Sequence, residues 1–370
     1  MGYALGSSKL GGMVAGGGER AHPVGGEDYP RSLPEFLAWF PDEASCLAYL
    51  ERLRWRDGFS CPACGWREAW RTVRHLWVCR RCERQLSVTA GTVFHGSRLS
   101  LAQWFLAIWL VTRQKHGMSA LGLQRELDLG SYRTAWTLLH KLRTAMVRPG
   151  RAKLSGEIGL DESYVGGPEP GKRGRGALGK AIVAIAVETH PSRRGQRALG
   201  RVRMAQIADL KERTLTDFVR DVVEAGAIVR TDALKGYNGL AEAGFGHVVA
   251  NISASDDPAH VVMPGVHRVA SLLKRWLLGT HQGSVRPQHL DYYLDEFTFR
   301  FNRRSSKKRG LLFYRLLEQA VTAAPTTYET IVWSRRGRWP QRKGHAEAAP
   351  AFTDPSAVHG EPSGRLEPSA

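Results

Sequence analysis

Two cysteine pairs are the first residues in this chain whose type and spacing could do chemistry. Cys61 and Cys64 lie in CPACG, Cys79 and Cys82 lie in CRRC, and fourteen residues separate the pairs. Thiolates on two CxxC turns at this spacing favour a tetrahedral zinc ribbon. The alternative is a pair of structural disulfides, which a chain in a reducing compartment rarely keeps. The fifth cysteine, Cys46, lies in an amphipathic segment and is expected to be a small buried hydrophobic residue.

Two aspartates that end apolar segments are the second group of residues that could do chemistry. Asp161 ends the apolar part of GEIGLDESYVGG and is followed by Glu162, while Asp232 ends AIVRTD. A lone aspartate at the end of a strand is usually an ordinary turn residue. A chemical role therefore depends on whether the fold brings Asp161 and Asp232 together.

The elements between these aspartates predict that they meet. EIGLDESYV, KAIVAIAVE and RALGRVRMAQI have the patterns of three strands in an antiparallel meander. TLTDFVRDVVEAG has apolar residues at helical spacing, with Thr214 and Asp217 as predicted caps and Gly226 as its end. The strands AIVRTD and HVVAN follow, and then a helix near 266–278. A right-handed crossover through the first helix would lay AIVRTD parallel to GEIGLD.

Neighbouring carboxylates would create a site for a divalent cation. Asp161 and Asp232 side by side would repel each other unless a cation lay between them. Oxygen ligands of this kind suit magnesium or manganese. Two such ions stabilise the attacking and leaving oxygens of an in-line phosphoryl transfer, so the sequence predicts phosphate chemistry.

The charge of the chain indicates the partner. The 370 residues include 53 Lys and Arg against 35 Asp and Glu, a formal net charge of +18. Such a surplus attracts anionic polymers, of which nucleic acid is the first choice. The chain has no apolar run long enough to span a bilayer and no recognisable signal peptide. We therefore expect a cytoplasmic, nucleoid-associated protein without a membrane partner.

A helical region follows the cysteines. SLAQWFLAIWLVTRQKHG opens with a capping-box pattern at Ser100 and Gln103, and the helices SALGLQRELDLG and SYRTAWTLLHKLRTAMV come next. The basic residues Arg133, Lys141 and Arg143 would lie on the outer face of a helix-turn-helix that docks in a DNA groove. The alternative is a simple helical bundle whose charges are solvated.

Four segments carry a resemblance to a known family: RWRDGFSCPACG, LDESYVGG, RTDALKGY and HRVASLLKRWLLGTHQGSVRPQHLDYYLDEFTFRFNRRSS. Over roughly 36–321, the sequence resembles DDE-type insertion-sequence transposases that have an N-terminal zinc ribbon and a ribonuclease-H-like catalytic domain. The resemblance implies that Asp161 and Asp232 are the first two acids of the catalytic triad. It also implies a third ligand on a later helix, followed two turns on by a lysine that contacts DNA.

At the position of this third ligand the chain has His267, and Lys274 follows seven residues further on. Two helical turns separate them, so both side chains can address one phosphate. The family more often has glutamate or asparagine near this position. Imidazole favours manganese or transition metals, and His267 could instead act as a general base or as a proton donor. His260 and Glu162 are rival candidates, with a structural hydrogen-bonding role as the alternative for each.

The C-terminal part of the chain contains further candidate DNA contacts. Arg275, Arg303 and Arg304 are predicted to bind phosphate, with Phe299 and Phe301 available to stack on an unpaired base. A solvated charged face is the alternative. Asp295 and Glu296 are expected to pair with Arg300, Arg303 and Arg304 on their own helix. The loop EPGKRGRGALGK is predicted to be a mobile basic arm near the active site.

These observations predict a zinc ribbon and a helix-turn-helix-like region before an α/β, ribonuclease-H-like catalytic domain with a mixed sheet. The expected divisions are a disordered segment at 1–30, a helix and ribbon at 31–95, a helical DNA-binding region at 96–150, a catalytic domain at 151–325 and a disordered tail at 335–370. The predicted function is that of an insertion-sequence transposase that binds double-stranded DNA, both element ends and target, as a homo-oligomer. The alternatives are a catalytically inactive DNA-binding protein and a nuclease that cuts without joining.

Overall fold

The computed structural model describes residues 22–166, 180–191, 197–250, 263–283 and 285–333. Several predictions from the sequence fall outside these ranges. They concern most of the N-terminal segment, the basic loop at 169–179, His260 and the C-terminal tail.

Two short helices precede a small antiparallel sheet. The elements are α1 (Leu33–Trp39), α2 (Glu43–Arg54), β1 (Ala69–Arg71), β2 (Trp77–Cys79) and β3 (Gln85–Leu86). Ser32 and Asp42 cap the two helices, since each side chain accepts a backbone N–H three residues on. Cys46 is fully buried in α2, as predicted.

The helical region consists of α3 (Leu101–Arg113), α4 (Ala120–Glu126) and α5 (Tyr132–Ala145). The predicted capping box at Ser100 and Gln103 is confirmed. One hydrophobic core joins α1 to α5 with a C-terminal helix, α9 (Arg309–Ala320). The three helices are therefore packed as a bundle with α9, and their docking as a helix-turn-helix in a DNA groove stays a prediction.

A five-stranded mixed sheet forms the centre of the second half. Its strands are β4 (Glu157–Val165), β5 (Ala181–Pro191), β6 (Arg197–Ile207), β7 (Ile228–Thr231) and β8 (Gly246–Val249). The spatial order is β6-β5-β4-β7-β8, with β4, β5 and β6 antiparallel and β7 parallel to both of its neighbours. The predicted meander and the parallel pairing of GEIGLD with AIVRTD are confirmed.

The crossover runs through helix α6 (Glu212–Val222). The helix begins at Glu212, before both predicted caps, so neither Thr214 nor Asp217 is its N-cap. A carboxylate oxygen of Asp209 accepts the Lys211 N–H at 3.1 Å and the Thr214 hydroxyl at 2.7 Å. The N-cap residue is Lys211, and no side chain makes a capping bond to the first turn, so Asp209 only holds the chain where it enters the helix.

Helices cover both faces of the sheet. One face packs against α7 (Pro264–His281) and α8 (Leu290–Phe301), and the other packs against α6 and a 3₁₀ helix at Lys235–Leu240. Helix α8 also protects the edge strand β6, since Asn302 and Asp291 accept the backbone N–H groups of Val202 and Gln206. The last described helix is α10 (Tyr328–Trp333). Across the described ranges, no helix is both long and apolar enough to cross a membrane.

Candidate active site

The pairing of β4 with β7 places Asp161 beside Asp232. The parallel register pairs Glu157 with Ile228 and Gly159 with Arg230. Two residues further along each strand, the same register sets Asp161 opposite Asp232. Adjacent strands lie about 4.8 Å apart, so the continued register brings the two aspartates near each other. Asp232 directly follows β7, but Asp161 lies within β4, which runs on to Val165, so the predicted strand-end position is wrong for Asp161.

Helix α7 lies over the Asp161 side of β4. A Cβ on Gly159 would lie 2.9 Å from Val266, so this glycine allows the helix to approach the strand closely. Asp161, two residues on, faces the same way. His267 follows Val266 on the helix, and its Nε2 atom lies 3.7 Å from a carboxylate oxygen of Asp161. The side chains of Asp161 and His267 are 15% and 32% exposed, and the Nε2 atom of His267 is itself buried against the sheet.

Asp232 is positioned by the turn that follows it. Its carboxylate accepts the Leu234 N–H at 3.0 Å, and its carbonyl accepts the Thr231 hydroxyl at 2.8 Å. The 3₁₀ helix then docks beside the start of α6, where a Cβ on Gly236 would lie only 2.3 Å from the Leu210 carbonyl oxygen. Only glycine fits there, so this close contact fixes the direction in which the chain leaves Asp232.

Glu162 points to the other face of the sheet. Its carboxylate accepts a hydrogen bond from the Tyr237 hydroxyl at 3.1 Å, and Tyr237 belongs to the core that α6 forms with the sheet. Successive residues of a strand alternate between faces, so the neighbours Asp161 and Glu162 diverge. Glu162, a rival for the third ligand position, does not share the face of Asp161.

Tyr237 is a site residue that sequence reasoning missed. Its side chain is fully buried. Burial, followed by the negative charges of Glu162 and Asp161, raises the pKa of Tyr237 well above its ordinary value, and Asp232 adds to the effect. The phenol therefore stays protonated, and the negative charges of all three carboxylates act on it. The available signal was the position of Tyr237 in RTDALKGY, five residues after Asp232.

The two aspartates suit a hard divalent ion by their chemistry. Asp161 and Asp232 offer carboxylate oxygens, which magnesium and manganese prefer, and their partial exposure leaves room for water and phosphate. His267 adds an imidazole on the Asp161 side. In the described part of the chain, however, the four cysteines are the single group of three or more possible ligands whose atoms all lie within 4.8 Å of one another.

The cysteines have the geometry of a zinc centre. Cys61 and Cys82 have their sulfurs 3.7 Å apart, and Cys64 and Cys79 have theirs 3.6 Å apart. Sulfurs at the corners of a tetrahedron around zinc, each about 2.3 Å from the metal, would lie about 3.8 Å from one another. None of the four forms a disulfide, so the disulfide alternative is wrong and the residues fit structural zinc.

The two cysteine turns share one backbone conformation. The N–H of Gly65 bonds to the Cys61 carbonyl at 2.8 Å, and the N–H of Glu83 bonds to the Cys79 carbonyl at 3.0 Å. Gly65 and Glu83 both have left-handed backbones, with φ of 72° and 55°. Each turn thus presents its two sulfurs in the same way to one central position.

The predicted DNA contacts fall into different environments. Lys274 and Arg275 are exposed on α7, two turns beyond His267. Arg133 is exposed on α5 and lies 3.8 Å from the centroid of the Tyr328 ring, while Lys141 is partly buried. These positions leave contact with DNA open as a prediction.

Three further predictions need correction. Arg143 is only 1% exposed and pairs with Glu296, so it cannot contact DNA from this position. Glu296 accordingly does not pair with the arginines of its own helix. Phe299 and Phe301 are buried beneath Arg303 and Arg304, whose guanidinium carbons lie 3.9 and 4.0 Å from the ring centroids. Neither ring is available to stack on an unpaired base.

Two family models match the chain. The ISXO2-like transposase domain matches residues 153–302, which contain Asp161, Asp232, His267 and Lys274. The transposase zinc-ribbon domain matches residues 41–85, which contain all four cysteines of the cluster. Together the two matches span more than half of the chain.

A curated relative supports the same assignment. The chain is 28% identical over 287 residues to a protein of Halobacterium salinarum described as an uncharacterized protein in transposable element ISH50. The alignment covers 70% of this chain and 91% of the relative. The chain therefore belongs to the insertion-sequence transposases that combine a transposase zinc ribbon with an ISXO2-like, DDE-type transposase domain.

Proposed function

We propose that this protein binds the terminal inverted repeats of its element and cuts and joins DNA strands at one site built around Asp161 and Asp232. The observation that carries the proposal is the parallel pairing of β4 with β7, whose register, continued by two residues, would bring Asp161 opposite Asp232. The placement of His267 against Asp161 adds a third donor from a separate helix. Family membership supports the reaction class.

Magnesium or manganese, held by Asp161 and Asp232, would stabilise the attacking and leaving oxygens of an in-line displacement at phosphorus. His267 would complete the ligand set, or would hold the proton that passes to the leaving 3′ oxygen. Lys274, exposed two turns along the same helix, would position the DNA phosphate. Imidazole as third donor favours manganese over magnesium.

The reaction has two displacements of the same kind. In the first, water attacks the phosphate at the element end and frees a 3′ hydroxyl. In the second, that hydroxyl attacks target DNA and joins the strands. Neither step needs a covalent bond to the protein, so Asp161 and Asp232 act as ligands and not as nucleophiles.

Specific DNA binding is assigned to the zinc ribbon and the helical region. The net charge of +18 supports a polyanionic partner. Structural zinc would hold the ribbon in its DNA-binding shape, because a domain of this size has little core of its own. Pairing of two element ends implies a homo-oligomer on DNA.

The test is incubation of the purified protein with labelled duplexes that carry the element ends, a target plasmid and manganese. Joined product supports the transposase. Cleavage without joining would indicate a nuclease, and binding without cleavage would indicate an inactive DNA-binding protein.

A further inference from the structure

A strongly basic cavity lies away from the aspartates. Its volume is about 670 Å³, and its lining includes one carboxylate, Glu318, and six arginines. The arginines are Arg148, Arg151, Arg201, Arg203, Arg303 and Arg315. We call this cavity the arginine groove. Only Arg303 among the six was predicted from the sequence to contact DNA.

The arginine groove lies where the helical bundle meets the edge of the sheet. Arg201 and Arg203 project from β6, and their guanidinium groups donate to the carbonyls of Lys153 and Ala152 at 2.9 and 2.8 Å. The C-terminal end of α8 and one side of α9 complete the walls. These hydrogen bonds fix the guanidinium groups before any ligand arrives.

The arginine groove has more arginines than carboxylates to pair with them. Arg201 pairs with Glu188 at 2.5 Å and Arg315 pairs with Glu318 at 2.8 Å. Arg203 and Arg303 instead donate to backbone carbonyls, and within the described ranges neither forms an ion pair with a carboxylate. Carbonyl oxygens satisfy the N–H groups without neutralising the charge.

Burial and the neighbouring positive charges lower the pKa of two of the arginines. Burial, followed by the charges of Arg151 and Arg201, lowers the pKa of Arg203 to about 10. Burial, followed by the charges of Arg148 and Arg315, lowers the pKa of Arg303 to about 10. Both guanidinium groups remain charged at neutral pH, so the groove holds mutually repelling cations that an anion would stabilise.

We propose that the arginine groove binds the phosphate backbone of a DNA segment outside the catalytic centre, an inference that rests on the proposed function. Guanidinium groups present paired N–H donors that match phosphate oxygens. Six arginines around one cavity of about 670 Å³ suit the repeated charges of a DNA strand better than a single small anion. Contacts of this kind position the duplex without reading its sequence.

The groove lies at the β6 edge of the sheet, where Arg201 and Arg203 face away from the side that carries Asp161. Arg203 alternates with Val202 and Met204 and shares the face of Ala205, which belongs to the core formed with α6. Asp161 faces α7 instead, and β5 separates β4 from β6. One DNA segment held in the groove is therefore distinct from the phosphate held at the aspartates.

An ion pair links one wall of the groove to the root of the zinc ribbon. Glu318, in that wall, also pairs with Arg56, the second residue after α2, where the chain turns toward the ribbon. Arg56 donates as well to the Tyr314 hydroxyl at 2.7 Å. DNA bound by the ribbon can thus continue along the arginine groove, which favours the element end over the target as the segment that is held.

The test compares two double variants that each remove two positive charges. Arg148→Gln with Arg303→Gln alters the groove, and Arg213→Gln with Arg220→Gln alters the exposed face of α6 as a matched control. Binding of a fluorescent element-end duplex is measured by anisotropy over a series of NaCl concentrations, without divalent metal. We expect the groove variant to bind about tenfold more weakly, and its plot of log K against log salt to be shallower by about 1.8, or 0.9 for each lost phosphate contact. The control should keep the wild-type slope, and an unchanged slope in the groove variant would overturn the proposal.

A second measurement uses the unaltered protein, in case the groove variant folds poorly. Phenylglyoxal labels accessible arginines, and mass spectrometry gives the extent of labelling at each. The element-end duplex should protect Arg148 and Arg303 severalfold but not Arg213. Protection by inorganic tripolyphosphate and not by duplex would show a small-anion site and refute the proposal. Neither measurement requires cleavage, so a failure to cut or join would refute the proposed function and leave this test intact.

Discussion

Arg143 and Glu296 form an ion pair inside the protein. The Nε atom of Arg143, on α5, donates to a carboxylate oxygen of Glu296, on α8, at 2.9 Å, and each side chain is only 1% exposed. The guanidinium carbon also lies 3.9 Å from the centroid of the Tyr293 ring. The pair therefore links the helical bundle to a helix that packs on the five-stranded sheet.

Replacing one partner of this pair should lower the free energy of unfolding more than replacing both. Arg143→Leu leaves the Glu296 carboxylate buried without its partner, which costs about 3–5 kcal/mol in free energy of unfolding. Arg143→Leu with Glu296→Leu should cost less than the single change. Urea unfolding of the three proteins measures both values, and a single variant within about 1 kcal/mol of wild type would show that the pair does not stabilise the junction.

The same junction should weaken in acid. Burial, followed by the charge of Arg143, lowers the pKa of His281 to about 4, and burial followed by the charge of Arg286 lowers that of His289 to about 4. Unfolded histidine has a pKa of about 6.5. Between these values the unfolded chain binds more protons than the folded chain, so the free energy of unfolding should fall as the pH drops from about 6.5 to 4.

Histidine variants separate this effect from general acid denaturation. His289→Gln should show a smaller loss of urea midpoint between pH 7 and pH 5 than the wild type. His95→Gln, at an exposed position, should follow the wild type. If both variants lose stability in parallel with the wild type, His289 does not contribute to the pH dependence.

Tyr237 should affect the metal requirement through Glu162. Tyr237→Phe keeps the buried ring but removes the hydroxyl that donates to the Glu162 carboxylate. The Glu162 carboxylate then loses this donor, and the electrostatic field at the neighbouring Asp161 changes. We expect a higher manganese concentration for half-maximal DNA cleavage and a smaller manganese-induced rise in melting temperature.

Tyr49→Phe is the matched control for this change. It also removes a tyrosine hydroxyl that donates a hydrogen bond, here to the Asp28 carbonyl at 2.5 Å in the helical bundle. Both variants should melt below the wild type, but only Tyr237→Phe should alter the response to manganese. An equal response from the two would assign Tyr237 a purely structural role.

Regular spacing of residues in the sequence was enough to predict part of the fold and of the candidate site. The apolar spacing of α6 and the apolar runs around it predicted the crossover that brings Asp161 to Asp232, and the CxxC spacing predicted the cysteine cluster. Arg143 was misassigned because its partner, Glu296, lies 153 residues away on another helix. Local spacing shows which face of a helix is polar, but not which other helix will cover that face.

The zinc ribbon should depend on all four cysteines. Cys61→Ser removes one thiolate ligand, so the purified protein should lose its zinc, about one ion per chain, together with specific end binding. Cys46→Ala alters a cysteine outside the cluster and should keep the metal. Elemental analysis with a gel-shift assay measures both properties, and stoichiometric zinc in the Cys61→Ser protein would contradict the assignment.

The proposed chemistry depends most directly on Asp161 and Asp232. Either aspartate changed to alanine removes the oxygen donors from one of the two neighbouring strands, so cleavage of labelled element ends should be abolished. Binding of those ends should persist, because the zinc ribbon and the arginine groove lie elsewhere. Asp217→Ala, at a half-exposed site on α6, should leave both properties unchanged. If Asp161→Ala or Asp232→Ala instead lost end binding and melted early, the aspartates would be structural turn residues, and the paired strands would not constitute a catalytic centre.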